Sequence, residues 1–280
     1  MSLSRRSKNL LRLGTALTLA FVYVPLALIA IYAFNADVTL AWPPSGLTLD
    51  WFGRAVDSDA RDALMTSLKA GTAATLVALL LGSLAALAVA RFRFFGRETI
   101  SFLVILPIAL PGIVTGLALN ATFTQVFGIG LSLFTVIVGH ATFCIVVVYN
   151  NVVARLRRVS GSFEEASADL GAHTWQTFRF VTLPTMRTAL VAGAMLAFAL
   201  SFDEIVVTTF TIGAGQQTLP IWIFSNLFRP NAVPIVNVAA LFVVVVSAVP
   251  VYVAHRLTRE EGAVTRGGVA RPVAKAATAP

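Results

Sequence analysis

The chain has 280 residues, 57% hydrophobic and 12% charged, with a formal net charge of +8. Soluble domains average roughly a quarter charged and under half apolar, so this composition excludes a water-soluble globule and indicates an all-α integral membrane protein in one bundle. The basic residues are spread over loops and not gathered on one folded face, which argues against nucleic acid as a partner and leaves membrane lipid as the first one.

Six apolar stretches are long enough, at about 20 residues, to cross a bilayer as helices. They fall near 11–34, 63–90, 99–126, 131–154, 188–210 and 233–257. Continuous runs such as Leu76 to Ala90 exclude the short alternating strands of a membrane barrel. The first stretch follows Arg5, Arg6, Lys8 and Arg12 in a short N-terminal segment, 1–10. It is longer than a signal-peptide core and no small-x-small site closes it, so the sequence predicts an uncleaved first helix.

Between the first two spans, loop 35–62 holds Trp42 and Trp51, suited to an interfacial belt. Its acids, Asp37, Asp50, Asp57, Asp59 and Asp62, lack compact ligand spacing and read as a solvated face or helix starts rather than a metal site. The third span contains Leu106-Pro107-Ile108-Ala109-Leu110-Pro111-Gly112. Two prolines at membrane depth kink a helix, which must then pack among neighbours that satisfy its freed carbonyls. Close packing and a bent, pathway-lining helix both account for them. The fourth span carries His140 and the single Cys144, each read as a packing residue; one cysteine makes no disulfide framework.

The polar insert 155–187 follows. Ser162 and Glu165 have the spacing of a capping box, Gly171 can end a first short helix, and a second can run through Thr174–Phe178 until Pro184 stops it. Ala166 and Ala168 are small enough to admit a close partner, with Phe178, Phe180 and Leu183 available to root the piece in the bundle. The fifth span carries Asp203 and Glu204 beside Ser201. A carboxylate at the bilayer centre costs about 2.5–3.5 kcal/mol on insertion scales, so such acids face a bundle interior or a watery cavity. A cation pathway and a structural network with Ser201 or Thr208 both fit. The segment 258–280 lacks apolar periodicity and reads as a disordered tail.

All but Arg54, Arg61, Lys69 and Arg229 of the 21 lysines and arginines lie in the N-terminus, the 91–98 loop, the insert and the tail. The positive-inside rule therefore places both termini and the insert in the cytoplasm. No G-x-x-x-x-G-K-[ST] phosphate cradle is present, and none of Lys8, Lys69 and Lys275 precedes Ser or Thr. No catalytic set and no cofactor or metal site is expected on this chain.

Glu165-Ala166-Ser167, Asp169-Leu170-Gly171, nine residues that begin with Ala172, and then Val181-x-Leu183-Pro184 resemble the EAA loop of ABC-importer permeases. Ser167 stands for the second alanine and Val181 for the commoner isoleucine. The segments Leu106–Pro111, Ser201-Phe202-Asp203-Glu204 and 218–225 are similar to the second permease subunit of spermidine/putrescine-type importers, although Pro234-Ile235-Val236-Asn237 lacks the acid many relatives carry. The resemblance implies a type I importer fold, with six helices over 11–257 and a coupling loop at 155–187. It implies Glu165, Ala166, Ser167, Asp169, Leu170, Gly171, Ala172, Val181, Leu183 and Pro184 as the ATPase-coupling residues. It also implies a second homologous permease, a cytoplasmic ABC ATPase dimer that binds the ATP and magnesium, an extracytoplasmic binding protein, and a place in a bacterial inner membrane. The solute would be a polyamine or a related small organic molecule, with Ser201, Asp203 and Glu204 in its path. An autonomous secondary transporter or channel, with Asp203, Glu204 and His140 as an ion relay, is the competing reading; the insert argues against it.

Overall fold

The computed structural model describes residues 4–248 and Tyr252. The tail 258–280 and most of 249–257 lie outside the described residues. In chain order the helices are α1 (Arg5–Ala33), α2 (Asp50–Val56), α3 (Asp59–Arg91), α4 (Arg97–Ala109), α5 (Gly112–Ala121, prolonged by a π-turn over Thr122–Val126), α6 (Leu133–Arg158), α7 (Ser162–Asp169), α8 (Thr174–Thr177), α9 (Leu183–Phe202), α10 (Val206–Thr211), α11 (Leu219–Asn226) and α12 (Pro230–Ala248). No β-strand occurs among the described residues beyond one isolated bridge, Asn35 to Leu47.

The bundle is organised by the contact of α3 with α6. On α3, Ala70, Ala74, Ala78, Gly82 and Ala86 recur every fourth residue and all are buried. Such a stripe lets two membrane helices approach until their backbones nearly touch, where van der Waals packing replaces the hydrophobic drive that lipid does not supply. A Cβ added at Gly82 would lie 2.9 Å from the Ile145 carbonyl oxygen and 3.1 Å from Val148 Cβ. Val148, Tyr149, Val152 and Leu156 of α6 fill the seam from the other side. The helix α9 lies across both: Gly193 sits against Val148, and the Cys144 thiol donates to the Ala197 carbonyl at 3.3 Å. By contrast α1 is exposed along most of its length and docks only by its last turn, where Ala33 packs with Trp51 and Val238.

The first and second predicted spans correspond to α1 and α3. Within the N-terminal segment 1–10, α1 already starts at Arg5. Asp50, Asp59 and Asp62 occupy the first turns of α2 and α3, where a carboxylate meets the positive end of the helix dipole. Trp51 is not in a surface belt; it is buried and its indole donates to the Asn35 carbonyl at 2.8 Å.

The third predicted span is not merely kinked. Its arms α4 and α5 meet at 104° around Leu110 and Pro111. The Tyr149 hydroxyl donates to Ser101 at 2.9 Å on α4, and Gly139 lies beside Leu119 on α5. Five other helices are long and apolar enough to cross a membrane, and the bent pair, counted as one broken span, brings the candidate spans to six. The fifth predicted span is also broken: α9 ends at Phe202 and α10 starts at Val206. The short α11, unpredicted as an element, is pinned where the Leu219 amide donates to Ser67 at 2.8 Å.

Because Gly82 touches backbone, Gly82→Val cannot be absorbed by a side-chain shift. It should destabilise the bundle by about 1–3 kcal/mol, measured as a lower thermal unfolding midpoint of the purified protein in detergent; an unchanged midpoint would refute the α3–α6 register.

Candidate functional site

One end of the bundle gathers Arg91, Arg155, Arg157 and Arg158, the last turns of α3 and α6. The polar insert folds there as a compact corner. Its first helix, α7, begins one residue earlier than the predicted capping box requires: Gly161 holds the cap position, and its carbonyl accepts from the Glu164 and Glu165 amides. The Ser162 amide donates to Ser160 Oγ at 3.2 Å, so Glu165 is not needed as a cap and stays exposed. Gly171, at φ +81°, closes α7 in the left-handed conformation that favours glycine, with open space around its α-carbon. The chain then turns into α8, whose start is capped by Gln176 Oε1 accepting from the His173 amide at 3.0 Å.

Pro184 does not stop the second helix. A π-turn over Phe178–Thr182, closed by the Leu183 amide on the Phe178 carbonyl, carries α8 into α9. Proline in a regular helix would remove one amide and clash with the carbonyl four residues back. The wider turn just before Pro184 accommodates that ring, so α8 and α9 form one helix from Thr174 to Phe202.

Two polar contacts hold the corner shut. Ser167 Oγ lies 3.0 Å from Thr177 Oγ1 and ties α7 to α8, which gives the departure from alanine at 167 a structural use. Glu164 turns inward: its Oε1 accepts from Thr182 Oγ1 at 2.9 Å and its Oε2 lies 2.8 Å from Arg91 Nε. Arg91 in turn donates from NH1 to the Leu156 carbonyl at 3.2 Å. Sequence reasoning singled out Glu165 and missed Glu164 and Arg91.

The outer surface of the corner is apolar where it meets solvent. Phe163, Leu170, Trp175 and Phe180 are 64%, 89%, 63% and 70% exposed. Phe180 therefore does not root the insert; the buried Thr182 and Met186 do, with Phe178 and Leu183 half-buried. Ser167, Leu170, Gly171 and Ala172 share an open notch of about 380 Å³ with Gln176 and Phe180. Glu165, Ala166 and Asp169 are exposed on α7, while Val181, Leu183 and Pro184 lie at the π-turn and the base of α9.

The second set of predicted residues lies at the break between α9 and α10. Asp203 and Glu204 are not helical, so they are not held 100° apart on one helix. Asp203 is exposed, and its carboxylate has no hydrogen bond or ion pair among the described residues. Glu204 instead serves α10: its Oε1 accepts from the Val207 amide at 2.9 Å and its carbonyl from Thr208 Oγ1 at 2.7 Å. Ser201 is buried, 2.7 Å from His140 Nδ1, and the other ring nitrogen lies 2.8 Å from Thr208 Oγ1. Thus one imidazole bridges the two sides of the break. Both nitrogens are engaged by hydroxyls and neither is hydrogen-bonded to a carboxylate, so His140 serves as a packing link and not as a member of a relay with the acids. No group of three His, Cys, Asp or Glu able to hold a metal occurs among the described residues.

Comparisons with known proteins agree on the kind of molecule. The family model described as binding-protein-dependent transport system inner membrane component matches residues 78–260. The putrescine transport system permease protein PotI of Escherichia coli (strain K12) is 34% identical over 231 residues, 80% of this chain and 81% of that protein. The spermidine/putrescine transport system permease protein PotC of Haemophilus influenzae is 32% identical over 243 residues, 86% of this chain and 93% of that one. A putative 2-aminoethylphosphonate transport system permease protein, PhnV of Salmonella paratyphi A, is 33% identical over 238 residues, 84% and 87% of the two chains. Among solved structures, a bacterial ABC transporter involved in alginate import is similar in fold, with a TM-score of 0.66, 16% identity, and 93% and 99% of the two chains covered. The MetNI methionine ABC transporter, in inward-facing conformations, gives 0.59 at 17% identity over 76% and 99%.

Removing the imaginary clasp of a relay would leave stability untouched; removing a structural one would not. His140→Ala should leave the buried Ser201 hydroxyl unpaired, strip Thr208 of one of its two partners, and destabilise the protein by about 1–3 kcal/mol, seen in the unfolding midpoint in detergent. An unaltered midpoint together with lost transport would revive the relay.

Proposed function

The chain belongs to the family of binding-protein-dependent transport system inner membrane components, the permease subunits of ABC importers, and we propose that it carries a polyamine or a related small organic solute. It is a transport subunit and not an enzyme. The reading is carried by one observation: a compact corner at the basic end of the bundle presents four large exposed apolar side chains and an open notch. Isolated surface apolar residues are ordinary, but a cluster beside a charged rim marks a protein-docking surface. We assign this corner, residues 155–187, to a cytoplasmic ABC ATPase dimer that binds ATP and magnesium. The basic end then faces the cytoplasm, and the opposite end meets an extracytoplasmic binding protein. A second, homologous permease completes the translocation path. Glu165, Ala166, Ser167, Asp169, Leu170, Gly171 and Ala172 form the contact, with Val181, Leu183 and Pro184 passing it to α9.

The motion is alternating access. Closing the ATPase dimer displaces α7 and α8, and the spans rock between two arrangements biased by nucleotide. Asp203 is the acid that faces the solute, because its carboxylate is exposed and uncommitted, while Glu204 and Ser201 shape the break that presents it. An unpaired carboxylate attracts a cationic amine, which accords with the putrescine and spermidine named for the relatives.

The assembled complex, with binding protein and ATP, should accumulate putrescine in proteoliposomes, and this chain alone should not. Accumulation of 2-aminoethylphosphonate in place of putrescine would overturn the cationic assignment. Asp203→Asn should leave assembly intact and lower uptake about tenfold, since removing a charge from a cation's path costs on the order of 1–4 kcal/mol; normal uptake would remove Asp203 from the path. Gly171→Asp places a side chain at positive φ, a strain of about 1–2 kcal/mol, and a charge in the notch. The ATPase should then fail to co-purify while the bundle stays folded, and a fully active complex would contradict the docking assignment.

A further inference from the structure

We propose that Glu164 is a positioning residue for energy coupling: with Arg91 and Thr182 it locks α7 to the ends of two spans, so that displacement of the corner moves those spans instead of bending the loops beside it. The proposal rests on the docking assignment above. It concerns a step after docking.

The argument starts from how α7 is attached. Its covalent links are short turns, residues 159–161 and 170–173, the second built around Gly171 at positive φ. A helix of eight residues held by two such turns could swivel when pushed. Beside the Ser167–Thr177 contact that ties α7 to α8, three contacts anchor it to the spans. Glu164 Oε2 meets Arg91 Nε at 2.8 Å, joining α7 to the last residue of α3. Glu164 Oε1 accepts from Thr182 at 2.9 Å, joining it to the π-turn at the base of α9. Arg91 also donates to the Leu156 carbonyl, so the end of α6 belongs to the same cluster. The carboxylate uses both oxygens on different elements, and a guanidinium spans two more.

These groups are set apart from the docking surface. The Arg91 and Glu164 side chains are 19% and 22% exposed, and Thr182 is buried, whereas Glu165, one residue on, is exposed. Adjacent residues on a helix point about 100° apart, so α7 can present Glu165 outward and Glu164 inward from one turn. A partly shielded ion pair is less screened by solvent than a pair on the open surface. Its role in a moving part is stiffness: coupling passes through packed and hydrogen-bonded groups that hold discrete arrangements.

The test uses the complete complex of both permeases, ATPase dimer and binding protein in proteoliposomes, with putrescine as solute. The quantity read is putrescine moved per ATP hydrolysed, beside the amount of ATPase retained. Glu164→Ala should retain the ATPase and its hydrolysis yet lower solute per ATP about fivefold. Glu164→Gln keeps an oxygen for Thr182 and should lower it less, by about twofold. Spin labels at Ser162 and Phe95, both exposed, should give a narrow distance distribution in the parent complex and a broad one in Glu164→Ala. An unchanged ratio with unchanged distances in both variants overturns the proposal. Loss of the ATPase from both variants also overturns it, because Glu164 would then be a docking residue. Failure of the unsubstituted complex to retain an ATPase would sink the docking assignment itself, a distinct result.

Discussion

The register of α3 against α6 is the constraint on which the other arrangements depend. A row of alanines and Gly82 brings the two backbones together. Sliding one helix by a residue would rotate bulk into that contact. The same register carries Arg91 to the Leu156 carbonyl and within reach of Glu164. It also leaves α6 enclosed, so that His140 and Cys144 meet α9 from its flank. The polar chemistry at both ends of the bundle follows from apolar packing in its middle.

A membrane tolerates irregular backbone only where protein supplies the missing partners. The second broken span obeys this. At its break Glu204 takes the Val207 amide, and at the far end of α10 Asn120 donates to the Phe210 carbonyl at 2.6 Å and Thr135 to the Thr211 carbonyl at 2.6 Å. Those last two donors come from α5 and the first turn of α6. The short helix α10 is therefore held at both ends by groups from outside its own ladder.

Much of the architecture was legible in the sequence, because length and hydropathy alone set the spans and basic residues alone mark one end. The EAA-like spacing located the corner, and Gly171 was identified as its turn for the right reason: only a glycine-like backbone closes α7 there. What sequence could not give was anything decided between distant positions. His140 finds its partners 61 and 68 residues away. The break at Asp203 has neither proline nor glycine to announce it, and Pro184, which looked like a stop, is accommodated by a π-turn. Glu164 and Glu165 are chemically identical neighbours, so only the placement of Arg91 tells which faces inward. The small-residue stripe on α3 was present in the sequence as a four-residue period; it passed as general hydrophobicity because alanine contributes to both.

The helix from Thr174 to Phe202 has one further consequence. Its 29 residues span about 43 Å, unbroken from the solvent-exposed Trp175 to the buried Ser201. A helix continuous over that length, with its wider turn near one end, is a single mechanical link between the aromatic foot and the tip beside Asp203. The discontinuity after Phe202 is where that link ends, so the two ends of the molecule described above meet the same rigid element.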